Sequence, residues 1–255
     1  MTDGLRLQVE LFGLALARAR RGTPVRAGLG ASDDLVVRAL RHAPLAGATL
    51  AAVTGAVIWG TALMLPQAAA VVLGLAIALA LTEGRALLGF GRMVDTLVAG
   101  GSARLDQRRT PGRGPEGAGM LAVGLALALQ VALLVALAPA QAIAALLAAG
   151  AFGGMARVHV LATTLGARRQ GMRARVFDVA SDCYRVGLVE TLTALLPLAL
   201  VGAAAVVGAA TGAVVAGQLA RSTMVRRYGG YTREGLAWVQ ITAELGALVG
   251  IMAVL

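Results

Sequence analysis

The sequence predicts an all-α fold: a polytopic transmembrane helix bundle of six to seven spans, with an interfacial amphipathic helix at its N-terminus. Three observations predict it. The 255 residues are 58% hydrophobic and 14% charged, with a mean hydropathy of +0.78. A soluble domain of this length does not need that much apolar surface. Apolar runs fall at about 44–63, 67–84, 117–137, 140–163, 187–203, 205–220 and 235–255. The joints between them alternate in character. Those near Pro66, Pro139 and Gly202–Gly212 are short and uncharged, whereas 85–116, 164–186 and 221–234 are long and rich in Arg.

That alternation sets an orientation. Basic loops stay in the cytoplasm, so the three Arg-rich joints are expected there, in a multi-pass protein of the cell inner membrane. Seven spans put the C-terminus outside. Residues 187–220 read either as two short helices or as one long tilted helix plus a re-entrant piece, which gives six spans. Residues 1–26 set Arg6, Arg18, Arg20, Arg21 and Arg26 around a Leu/Val/Phe stripe. That pattern suits an interfacial helix against membrane lipid, within an N-terminal segment 1–42; no cleavable signal peptide is expected. The whole chain, 1–255, reads as one membrane-integral domain. Gly47, Gly55, Gly74, Gly124, Gly150, Gly153 and Gly154 would let helices approach closely in lipid.

The formal charge of +10 comes from 23 basic residues, all of them Arg. They sit mainly in the joints, which points to orientation and to anionic headgroups or substrates. No nucleic-acid partner is expected, since binding signatures are missing and aromatics are only 4%. The lone Cys183 excludes an intramolecular disulfide and a cysteine metal cluster. Homo-oligomerisation is left open.

The most informative segment is 221–244. Arg221, Arg226, Arg227, Gly229, Gly230, Thr232, Arg233 and Glu234 run into an apolar stretch that contains Glu244. Glycines let backbone approach an anion, and Arg supplies planar, multidentate donors for phosphate. The competing reading is a plain cytoplasmic connector obeying the positive-inside rule. The first Arg-rich joint scatters Glu83, Asp95, Asp106 and Glu116 among Gly and Arg. It reads either as a Mg²⁺–phosphate site or as a flexible loop without a ligand. In the second, Asp178 and Asp182 are spaced to share a helix face, and Asp182 can equally pair with Arg185. His42 and His159 are expected to be structural. Glu190 and Glu244 lie within apolar runs, where a carboxylate faces a partner or a cavity.

Three stretches, in order, resemble the cobalamin synthase family, adenosylcobinamide-GDP ribazoletransferase. Arg41-His-Ala-Pro44-Leu-Ala-Gly47 is similar to the family's PL-x-G opening of the first span. Arg157 and Ala167-Arg168-Arg-Gln-Gly171-Met resemble its helix-end Arg and AR-x-x-G-L loop. Arg226-Arg-Tyr-Gly229-Gly230-Tyr-Thr232-Arg-Glu234, with Glu244 downstream, resembles its R-x-x-G-G-x-T-G-D block and following Glu.

The resemblance implies a membrane transferase joining α-ribazole, or its 5′-phosphate, to adenosylcobinamide-GDP with release of GMP. It also implies Mg²⁺ as cofactor. Carried onto this chain, Asp95 and Glu234 become catalytic, and Asp95, Glu234 and Glu244 become metal ligands. Arg157, Arg168, Arg226, Arg227, Gly229, Gly230 and Thr232 become substrate-binding.

The chain departs from the pattern in places. Of the family's D-G-x-A-D-x-x-D-G element only Asp95 is kept, with Gly91, Val98 and Ala99 at other pattern positions. D-S-x-x-G reads Thr110-Pro-Gly-Arg113-Gly114, and T-G-D reads Thr232-Arg233-Glu234. Two readings follow: a divergent enzyme, or a degenerate paralogue acting as a corrinoid-intermediate-binding or structural membrane subunit. The enzyme reading requires the three Arg-rich segments to converge on one cavity.

Overall fold

A computed structural model describes residues 41–100, 114–166 and 184–255. The interfacial segment up to residue 40, Asp106, Arg168, Asp178 and Asp182 lie outside the described residues.

The described chain is helical. The helices are α1 (Ala43–Ala62), α2 (Gln67–Thr82), α3 (Arg85–Val98), α4 (Gly117–Val135), α5 (Pro139–Thr163), α6 (Tyr184–Val201), α7 (Ala203–Tyr228) and α8 (Arg233–Met252). Among the described residues six helices are long and apolar enough to cross a membrane. The count is seven if α2 and α3 form one bent span. The protein is therefore an all-α, multi-pass membrane bundle.

Boundaries follow local chemistry. Pro44 and Pro139 sit in the first turns of α1 and α5, where a missing N–H costs nothing. The Thr232 hydroxyl accepts the Gly235 N–H at 2.9 Å and caps α8. Gln67 donates to the Leu134 and Leu137 carbonyls, at 3.3 and 2.6 Å, and so closes the far end of α4. The last turns of α6, Leu196–Val201, form a separate short helix with Pro197 near its start.

Three expectations are corrected. Residues 85–98 are not part of a loop. Glu83 and Gly84 both take left-handed backbone angles, φ 53° and 60°, and turn the chain by 86° into α3. Helix α3 persists because its apolar residues recur at helical spacing and are covered on two sides. Phe90 stacks on Trp238 of α8 with ring centroids 5.3 Å apart, and Met93 packs with Val160, Met224 and Tyr228. Second, Arg226 and Arg227 do not sit in a loop, since α7 runs on to Tyr228 and only 229–232 connect it to α8. Third, the joint expected at Gly202–Gly212 narrows to Gly202, because α6 ends at Val201 and α7 starts at Ala203; of the two readings of 187–220, the two-helix one holds.

The core is built from small residues. Gly47 faces the Gly150 backbone between α1 and α5. Gly208 faces Gly250, and Gly212 faces Gly246, so two four-residue glycine spacings interlock between antiparallel α7 and α8. Lipid offers no hydrophobic drive between spans, so such close approach supplies dispersion contact instead. Gly124, by contrast, has no atom within 4 Å of where a Cβ would stand, and takes no part in such packing.

Candidate functional site

The ends of the Arg-rich segments gather at one end of the bundle. The Tyr231 N–H donates to the Leu165 carbonyl at 2.9 Å, and Gly166 bridges Tyr231, tying the end of α5 to the α7–α8 connector. Arg221 adds a second tie. Its Nε donates to Thr164 Oγ1 at 2.9 Å, and one Nη donates to the Thr163 carbonyl at 3.2 Å. The Gln218 amide donates to His159 Nε2 at 2.9 Å, and the Tyr184 ring lies 6.0 Å from the imidazole. Burial pushes the Tyr231 phenol above its ordinary pKa, so it stays neutral at physiological pH.

Asp95 faces the other way, toward α4. Only 6% exposed, it accepts the Gly119 N–H on Oδ1 at 2.6 Å and the Glu116 N–H on Oδ2 at 2.5 Å. A carboxylate at a helix N-terminus satisfies orphan donors and meets the positive end of the dipole. The short approach is permitted because Gly91 and Gly119 face each other at the α3–α4 contact. Glu190 does the same for α1. It accepts the Leu45 N–H at 3.2 Å and pairs with His42 Nδ1, while Arg41 donates to His42 Nε2 at 3.0 Å.

Arg157 and Glu244 meet through an unforeseen residue. Arg157 Nη1 donates to Gln240 Oε1 at 3.3 Å, and Gln240 Nε2 donates to Glu244 Oε1 at 2.8 Å. Gly153, one turn before Arg157, makes room for the Glu244 side chain. The signal for Gln240 was present: it precedes Glu244 by four residues in an apolar helix.

The remaining predicted residues lie on the α7–α8 connector and the helix turns that flank it. Arg226 and Arg227 are exposed on the last turn of α7. Gly229 ends that helix in a left-handed conformation, φ 68°, with its N–H donating to the Val225 carbonyl at 2.8 Å. Gly230 is buried, Thr232 caps α8, and half-buried Glu234 lies in the first turn of α8. No hydrogen bond or ion pair joins Asp95, Arg157 and Glu234 to one another. Among the described residues no group of three or more His, Cys, Asp or Glu could hold a metal ion. The carboxylate oxygens at this end are nevertheless suitable donors for a hard cation. Each Asp95 oxygen keeps a lone pair beyond its backbone bond, and Mg²⁺ takes most of its shell from phosphate and water.

A cavity of about 150 Å³ opens between α1, α2, α4, α5 and α8. The α2–α3 bend lines it with Thr82, Gly84 and Leu87, and Gln130, Gln240 and Glu244 add polar groups to the wall. Asp95, Arg157 and Glu234 do not line it.

No curated protein and no solved structure matches the chain. A family profile for cobalamin-5-phosphate synthase matches residues 23–252, nearly the whole length. That family works on cobamide intermediates late in cobalamin biosynthesis, and this chain belongs to the cobalamin-5-phosphate synthase family.

Proposed function

We propose that the chain is a membrane transferase that joins α-ribazole, or its 5′-phosphate, to adenosylcobinamide-GDP and releases GMP. The family match over residues 23–252 carries this reading. A ribose hydroxyl oxygen attacks the phosphorus nearest the cobinamide. The bond from that phosphorus to the bridging oxygen breaks, and the bridging oxygen leaves with GMP. The hydroxyl proton goes to a carboxylate, for which Glu234 is the candidate, since it has no bonded partner among the described residues.

Such a transfer needs little covalent help from protein, so positioning and charge neutralisation dominate. Arg226 and Arg227, exposed on the last turn of α7, would bind diphosphate oxygens, with Arg168 from the preceding Arg-rich segment. Arg157, held by Gln240, would supply a further donor from within the bundle. Gly229 and Gly230 would admit phosphate near the backbone, and Thr232 orders the first turn of α8 around it. Asp95 would hold Mg²⁺, with Glu234 as its second ligand where it is not the base and Glu244 as the reserve carboxylate; the cation would offset diphosphate charge. The Arg-rich end would face the cytoplasm of the inner membrane, where nucleotide substrates are.

One observation favours a second reading, a corrinoid-binding subunit without turnover. Both Asp95 oxygens are already engaged by α4. Purified protein with adenosylcobinamide-GDP, α-ribazole and increasing Mg²⁺ separates the two. Mg²⁺-dependent GMP release supports the transferase. Binding of adenosylcobinamide-GDP with little Mg²⁺ dependence and no GMP supports the subunit.

A further inference from the structure

We infer that the cavity behind the α2–α3 bend receives the heteroaromatic base of the ribazole substrate. This rests on the transferase reading and assigns its nucleoside subsite. The walls are chiefly aliphatic, from residues such as Leu50, Leu75, Leu127 and Leu146. An apolar cavity of ~150 Å³ takes an aromatic ring of benzene's order. A fused base fills it and its mouth, with the sugar left toward the Arg-rich end.

Polar groups define what kind of ring fits. Gln130 is the sole polar side chain on α4, Gly117–Val135. It lines the cavity, and its amide has no hydrogen-bond partner among the described residues. An unpaired amide in an apolar span costs free energy until something bonds to it. A base that is N-glycosylated at one ring nitrogen presents the other as an acceptor, and the Gln130 NH₂ can donate to it. Gln240 and Glu244 complete a wall with one amide and one carboxylate. A guanine, with several exocyclic donors and acceptors, would leave most of them unpaired here. A benzimidazole-type base would not.

The test measures nucleoside binding directly, apart from turnover. Purified wild type, Gln130→Leu and the cavity-filling Ala149→Phe are titrated with tritiated α-ribazole, and separately with adenosylcobinamide-GDP. The expected result for Gln130→Leu is about tenfold weaker ribazole binding, with adenosylcobinamide-GDP affinity unchanged and a melting temperature no lower than wild type. A folded Ala149→Phe should abolish ribazole binding. Unchanged ribazole affinity in Gln130→Leu overturns the assignment, and so does a wild type that binds no ribazole. If the variants lose ribazole while the wild type releases no GMP, the transferase reading fails and the base site stands.

Discussion

The Asp95 carboxylate, on α3, closes the N-terminus of α4 by accepting the N–H of Gly119, 24 residues further along the chain, at 2.6 Å. The one aspartate kept from the family's acidic element is thus also a structural cap. Removing it should have two separable effects. Asp95→Ala leaves two helix N–H groups without an acceptor in a buried place, and should lower stability by ~1–3 kcal/mol. The same variant should cut turnover well beyond what its folded fraction explains. Thermal melts in detergent alongside GMP release per folded protein would check it. Turnover that merely tracks the folded fraction would reduce Asp95 to its cap.

Glu190 offers the control. It caps α1 and pairs with His42 in the same manner. Glu190→Ala should cost stability on the same scale, ~1–3 kcal/mol, yet leave turnover per folded molecule near wild type. Comparing the two cap variants isolates the chemical share of Asp95.

Gly153 is the seat of Glu244. A Cβ at position 153 would fall 2.5 Å from the Glu244 Cγ and 2.8 Å from its Cδ. Gly153→Ala should therefore displace the carboxylate, loosen Gln240 and cost ~1–3 kcal/mol. Glu244→Ala in the same chain should relieve much of that clash. A double-mutant cycle in melting free energy would reveal the coupling; simple additivity would refute the contact.

The α7–α8 contact makes a sharper comparison. A Cβ on Gly212 would meet the Gly246 backbone, with its carbonyl carbon 2.9 Å away, whereas a Cβ on Gly124 meets nothing within 4 Å. Gly212→Ala should destabilise by ~1–3 kcal/mol. Gly124→Ala should be neutral or add ~0.5–1 kcal/mol through helix propensity. Melting curves of both variants in the same detergent decide it.

Arg226 and Arg227 are exposed on the last turn of α7, where cations also suit the helix dipole. Arg226→Gln with Arg227→Gln should barely change stability but raise the KM for adenosylcobinamide-GDP. The rise should shrink at high salt, because screening already weakens the wild-type contact. A KM unaffected at low salt would remove these residues from the binding surface.

Hydropathy and arginine placement were enough to read the bundle from the sequence, since apolar length and charge are local properties. The bend after Thr82 was not. Gly, Arg and Asp around 83–98 signal a loop by composition, while Leu87, Phe90, Val94 and Leu97 carry the helical period that the tertiary contacts reward. Glu190 and Glu244, carboxylates in apolar runs, need partners; Gln240 stands four residues before Glu244 on the same helix, whereas His42 lies 148 residues from Glu190 and only the fold brings them together. Asp95 shows the same limit. Its acceptors' donors, Glu116 and Gly119, become neighbours only when α3 folds back over the bundle end. By sequence, 202–212 reads as a turn, yet Gly208 and Gly212 lie inside α7 and meet Gly250 and Gly246, because only packing shows which glycines face a neighbouring helix.

The most direct test of the central claim is complementation. The chain would be expressed in a bacterium lacking its own cobalamin synthase, supplied with cobinamide and the lower base, under conditions where growth requires cobalamin. Growth is the predicted result. No growth, with the protein demonstrably present in the membrane, would contradict the transferase reading.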